Sequence, residues 1–279
     1  MDLPTENTPA VPAAAAAVQT VEKRPGVWSG LGIVALYFLL QFGLGILAGM
    51  AIGVVLGIKA GLQSAAAHRT FDPQSLVRLM QANPDIRAIT AVLTIAAAAA
   101  VMTAIVRQTW PAQWARAELP GFGLTRPNGK YAYLGAVLLA LLVLMVGNLM
   151  THLLAGSHPI RQDVTLLAGN VSPGLRMLLA LLVVGVAPFV EELVFRGVLL
   201  SGLASRMHIG WAVVLSALVF GCVHLPDFKF AWYPVPALVL LGVASAWLRL
   251  KTRSLWPSIT LHATNNLVAA IAWFVAAHH

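Results

Sequence analysis

Residues 175–203 read LRMLLALLVVGVAPFVEELVFRGVLLSGL. The stretch is almost wholly apolar and exceeds the roughly 20 residues that carry a helix across a bilayer. Inside it stand Glu191, Glu192 and Arg196, with apolar sequence on both sides. An ionisable side chain at the centre of a span costs on the order of 2.5–3.5 kcal/mol on insertion scales, so three together point to a function. Glu192 and Arg196 are four apart and share a helix face, with the acid N-terminal to the base, the favourable order. Glu191 is turned about 100° away and lacks that counter-ion. Two adjacent carboxylates, one neutralised and one free, can separate a structural role from that of a base. Charges at a helix end on the membrane surface would need no such account, but the apolar flanks oppose that reading. Pro188 lacks an amide donor and crowds the preceding turn, so a break in this helix is expected there.

The rest of the chain has the same character. Of 279 residues, 59% are hydrophobic and 10% charged, against about 25% charged in soluble domains, and the mean hydropathy is +0.81. Water cannot satisfy a backbone in the bilayer core, and the apolar runs are far longer than barrel strands, which leaves helices. Candidate spans fall at 28–58, 86–107, 131–155, 175–203, 211–225, 233–250 and 255–277. The expected fold is an all-α, polytopic transmembrane bundle of about seven to eight spans with an intramembrane polar cavity. Residues 1–26 form an expected disordered tail, 27–174 the N-terminal transmembrane helices and loops, and 175–277 a transmembrane core that holds the polar residues. In the first span Gly45, Gly49, Gly53 and Gly57 recur every fourth residue, a small-residue stripe for close helix packing within the chain or between copies. Residues 60–85 suit either an interfacial amphipathic helix or a loop holding a short helix.

The net charge of +8 and isoelectric point near 10.3 do not indicate nucleic acid, because the basic residues are scattered through short loops that flank apolar runs. Counted by loop, with Arg249 among the loop charges, they favour a cytoplasmic N-terminus. The chain reads as a multi-pass integral membrane protein of a bacterial inner membrane. Cys222 is the single cysteine. It excludes an internal disulfide, and with His224 two positions along on another face it reads as a packing residue.

Two further polar sets follow. In LSALVFGCVHLP, Phe220 and His224 share a face; in SITLHATNNLVAA, His262 and Asn266 do. A lone histidine near a span end is ordinarily a packing residue, and Asn265 can simply join helices. Together with the carboxylates, however, they supply a base, two imidazoles, an amide and a fixing arginine. That set suits water activation and oxyanion stabilisation in a dry pocket.

The three stretches resemble the CAAX protease and bacteriocin-processing family of intramembrane proteases, also called CPBP or Abi. Its pattern is EExxxR, FxxxH and HxxxN on successive transmembrane helices. Here it is Glu191-Glu192 to Arg196, Phe220 to His224, and His262 to Asn266, all present and in order. The resemblance covers about residues 175–275. It implies an all-helical bundle with a cavity opening into the membrane and peptidase chemistry like that of the CAAX prenyl proteases. Glu191 would be the general base, Glu192 would hold Arg196, and His224 would position the water or carbonyl. His262 and Asn266 would orient water or stabilise the oxyanion.

The family is often described as metalloproteases, and Glu191, His224 and His262 could make a zinc site of two histidines and a carboxylate. No HExxH is present, and a glutamate-activated water without metal is equally compatible. Expected partners are the lipid bilayer and a peptide or lipid-modified protein substrate, with no nucleic acid. The rival readings are an ion-coupled transporter, which the lack of a second EExxxR copy opposes, and a non-catalytic membrane scaffold or immunity protein.

Overall fold

A computed structural model describes residues 22–158 and 163–275. Most of the expected tail, residues 1–21, lies outside the described residues, as does Arg161 of the loop charges. Among the described residues the chain is helical: α1 Val27–Ala66, α2 Pro73–Ala82, α3 Pro84–Thr109, α4 Ala132–Ala155 and α5 Asp163–Ala168, then α6 Pro173–Ala204, α7 Ile209–Val223, α8 Val235–Thr252 and α9 Trp256–Val275. Six of these (α1, α3, α4, α6, α8 and α9) are long and apolar enough to cross a membrane, which makes the chain a multi-pass membrane protein. The seventh candidate, 211–225, becomes the 15-residue α7. It is too short to span the bilayer alone, because Pro226 and Asp227 turn the chain into a 3-10 turn, Leu225–Phe228.

The outer surface is what lipid requires. On α1, Leu39, Phe42, Met50, Val55 and Leu62 are all exposed, an arrangement unfavourable in water and neutral among acyl chains. The 40 residues of α1 rise about 60 Å, twice the bilayer core of about 30 Å. Its C-terminal part meets α2, the short helix that residues 60–85 provide. Asp72 caps α2 by accepting from the Gln74 and Ser75 amides, and no α2 residue is buried. Half of the glycine stripe serves this packing: a Cβ at Gly53 would stand 3.3 Å from Met80 Sδ and one at Gly57 3.3 Å from Leu76, whereas one at Gly45 would meet Thr94 of α3 at 3.5 Å and one at Gly49 nothing within 4 Å.

The core gathers apolar residues of α1, α3, α4, α6, α7, α8 and α9. Two polar ties brace its edge. Arg249, a loop charge in the sequence reading, is 1% exposed and donates to the Ala117 and Gly121 carbonyls. It thus anchors the connection between α3 and α4 and does not face a membrane surface. Residues 22–26, assigned above to the tail, are held to the same connection, with Glu22 paired to Arg116 at 2.8 Å and Gln113 donating to the Lys23 carbonyl. Cys222 is exposed and so does not pack inside the bundle.

The tightest crossing near the polar sets joins α7 to α8. A Cβ at Gly242 would stand 2.9 Å from Ala217 Cβ and 3.2 Å from Arg196 Nη2, and α7 could move away only by repacking the core. Gly242→Ala should therefore destabilise the folded protein by about 1–3 kcal/mol, the usual cost of overpacking, seen as a lower unfolding temperature in detergent. An unchanged temperature would show that the crossing yields freely.

Candidate active site

Helix α6 carries the carboxylates and is not a regular helix. It contains two π-helical stretches, Leu182–Val186 and Leu193–Leu199. Pro188 follows the first, so the expected break is instead a local widening that keeps the helix continuous. Such a widening loosens carbonyls from the backbone ladder, and in a membrane a neighbour must satisfy them. Asn266 of α9 does so, its Nδ2 donating to the Val183 carbonyl at 2.9 Å. The Asn265 amide reaches Asn266 Oδ1 at 3.4 Å.

Glu192 and Arg196 lie in the second widened region or at its edge, and both are 0% exposed. Glu192 Oε1 accepts from Arg196 Nη1 at 3.0 Å and from His262 Nδ1 at 3.0 Å. A carboxylate only accepts here, so His262 Nδ1 is the donor and its Nε2 is left free. The Arg196 guanidinium lies 4.4 Å from the centre of the Phe220 ring, a cation–π contact that gains strength where water is absent. Among the described residues Glu192 Oε2 and Arg196 Nε and Nη2 have no hydrogen-bond partner.

Glu191 faces the other way, as its position on the helix predicts. Its Oε2 is 3.7 Å from His224 Nε2 and 3.8 Å from His262 Nε2. His224 Nδ1 donates to the Phe220 carbonyl at 2.7 Å, which fixes the second imidazole in the same sense as the first. The Phe220 ring meets both, tilted against His224 at 4.8 Å between centres and edge-on to His262 at 5.6 Å. Two imidazole nitrogens and a carboxylate oxygen thus converge, all acceptors while the rings are neutral. They face a cavity of about 190 Å³. Three acceptors with no protein donor between them suit a water that donates to two of them and offers its own lone pairs outward.

Of the six residues singled out by sequence, Glu191, His224, His262 and Asn266 line this cavity, whereas Glu192 and Arg196 do not. Those two form the buried support behind it. The cavity wall also includes Tyr37 and Gln41 of α1, Ile95 of α3 and Asp227, which sequence reasoning missed. The available signal was the pair of polar residues four apart in an otherwise apolar first span.

The donor chemistry of Glu191, His224 and His262 would suit zinc. Tetrahedral zinc with donors at about 2.1 Å would set them roughly 3.4 Å from one another, closer than the 3.7 and 3.8 Å found. Among the described residues no group of three His, Cys, Asp or Glu is arranged to hold a metal ion. The residues as placed do not fit the metal, and no step below passes through one.

Residues 173–268 match the family model described as type II CAAX prenyl endopeptidase Rce1-like, in agreement with the motif resemblance. The match takes in all three motifs and leaves α1 to α5 outside it. Such a match supports an intramembrane endopeptidase in general. No curated protein and no solved structure matches the chain.

Removing Glu192 leaves a fully buried arginine unpaired, an error that costs about 3–5 kcal/mol. Glu192→Ala should therefore lower folded yield sharply, whereas Glu191→Ala, which borders a cavity, should leave it near wild type. Yield of monodisperse protein in detergent measures both. A replacement of both partners, Glu192→Leu with Arg196→Met, should recover stability lost in the single variant, since an apolar pair of similar volume is commonly neutral.

Proposed function

We propose that this chain is an intramembrane endopeptidase in which Glu191 activates a water for attack on a peptide carbonyl. One observation carries the reading: the Glu191 carboxylate oxygen and two imidazole nitrogens, the imidazoles each oriented by a further hydrogen bond, face one cavity. Water held between them donates to Glu191 Oε2. As its oxygen bonds to the carbonyl carbon, the proton passes to Glu191 and the carbonyl oxygen becomes an oxyanion. Collapse of the tetrahedral species breaks the C–N bond, and Glu191 returns the proton to the leaving amine.

His224 holds the water's position, since its Nδ1–H bond to Phe220 leaves Nε2 as an acceptor. Glu192 fixes the tautomer of His262 and, through Arg196, the pitch of the widened helix. Asn266 has one amide hydrogen engaged by Val183 and the other free for the oxyanion. A second cavity of about 340 Å³, walled by α4, α8 and α9, shares Leu238, Leu241 and Asn265 with the first. It supplies room for an extended peptide or lipid-modified chain to reach the carboxylate from the bundle's side.

Wild type and Glu191→Ala, purified in detergent and given a mixed library of prenylated and unmodified peptides, separate the readings by mass spectrometry. Cleavage by wild type alone, with equal folded yield, is expected. Equal cleavage by both would remove Glu191 as the base, and silence from both would favour a scaffold. Loss of wild-type cleavage on chelation, restored by added zinc, would replace the water-only mechanism with a metal-assisted one. Asn266→Ala should lower kcat by about 100-fold or more, the usual effect of losing an oxyanion donor, and also reduce thermal stability by freeing the Val183 carbonyl. A full-rate Asn266→Ala would confine that residue to the helix contact.

A further inference from the structure

The first span carries two polar side chains in an otherwise apolar stretch, Tyr37 and Gln41. They are four apart, on one face of α1, and both line the cavity that Glu191, His224 and His262 face. Tyr37 is 3% exposed. Neither side chain makes a hydrogen bond to any described residue. Neither is sealed off, as Glu192 Oε2 is, so their polar atoms open onto the cavity. Phe38, next to Tyr37, sets its ring edge-on to His224 at 6.5 Å, which brings this turn of α1 against the reacting groups.

An unpartnered hydroxyl and carboxamide inside a membrane bundle are costly unless something in the cavity meets them. The reacting groups leave that need open on their own side. While the rings are neutral, Glu191 Oε2 and both imidazole Nε2 atoms are acceptors, and one of the two Asn266 amide hydrogens is already given to Val183. A carbonyl turning into an oxyanion there finds few donors among the residues of the matched family region.

We propose that α1 completes the site: the Tyr37 hydroxyl donates to the carbonyl oxygen under attack, and the Gln41 carboxamide pairs with the peptide backbone beside the scissile bond. The inference rests on the endopeptidase reading above. Tyr37 keeps its proton throughout; it stabilises charge and takes no part in the proton transfer. Gln41 offers an acceptor and two donors, the complement of an extended peptide's alternating C=O and N–H. The substrate segment at the reacting bond is accordingly extended, and the recognition is of backbone and not of side chain.

The test is steady-state cleavage by purified full-length wild type, Tyr37→Phe, Gln41→Leu and Glu191→Ala, using whichever library peptide wild type cuts best. Tyr37→Phe keeps the ring and removes only the hydroxyl. It should lower kcat by about 100- to 1,000-fold with KM and unfolding temperature near wild type. Gln41→Leu should act mainly by raising KM. A Tyr37→Phe enzyme with wild-type kcat, whatever its unfolding temperature, overturns the Tyr37 role while leaving the endopeptidase intact. If no cleavage depends on Glu191, the endopeptidase reading fails and the role of α1 falls with it.

Discussion

A single carboxylate oxygen, Glu192 Oε1, ties the bundle together at its most hostile point. It accepts from Arg196 one turn away on α6 and from His262 on α9. The same guanidinium lies on Phe220 of α7 and against the backbone of α8 at Gly242. Four helices therefore meet at one ionic knot with no access to water. Its Coulomb energy is not the main point, since buried pairs roughly balance their desolvation. What matters is that the pair itself lies within α6, whereas the His262 bond, the Phe220 ring and the close approach at Gly242 meet it only when α7, α8 and α9 stand in this arrangement. The knot selects one register among the many that apolar surfaces would tolerate.

That selection is what aims the chemistry. Glu191 and Glu192 are neighbours in sequence, so fixing one toward Arg196 turns the other by about 100° toward the opposite side. His262 is bound through Nδ1 to the buried carboxylate and presents Nε2 to the free one. His224 is set the same way by a backbone carbonyl. The two rings are thus oriented by groups outside the cavity, the usual arrangement for holding a reactive imidazole in one tautomer. The two widened stretches of α6 fit the same picture. Glu191 and Glu192 lie in the regular turn between them, and Asn266 satisfies backbone loosened by the first.

How much of this was legible beforehand depended on the range of the interaction. The Glu192–Arg196 pair follows from spacing on one helix, and the divergence of Glu191 follows with it. Membrane crossing follows from composition and run length. The link from Glu192 to His262 joins residues 70 positions apart, and no periodicity encodes it. Asn266 was read as an oxyanion donor from its place beside His262, but its contact with Val183 depends on a register change in α6 that Pro188 only hinted at. Arg249 looked like a loop charge because it sits near a span end. Its burial under the α3–α4 connection depends on where residues 117–121 return. The short α7 was over-read as a full span because apolar content alone does not register the stop at Pro226.

The division between α6–α9 and the preceding helices has a chemical meaning. The matched region supplies the carboxylates, imidazoles and amides, which around the water position are mostly acceptors while the rings are neutral. Activating water needs acceptors; stabilising the oxyanion needs donors, and the two sets cannot be the same atoms. Beside one amide hydrogen each of Asn265 and Asn266, the free donors that face the cavity come from α1, which lies outside the matched region. Water activation would then belong to the core, and carbonyl and backbone recognition to the helix laid across it. None of the ties of the ionic knot passes through α1, so the aim of Glu191 and His262 is set independently of the helix that would supply the donors.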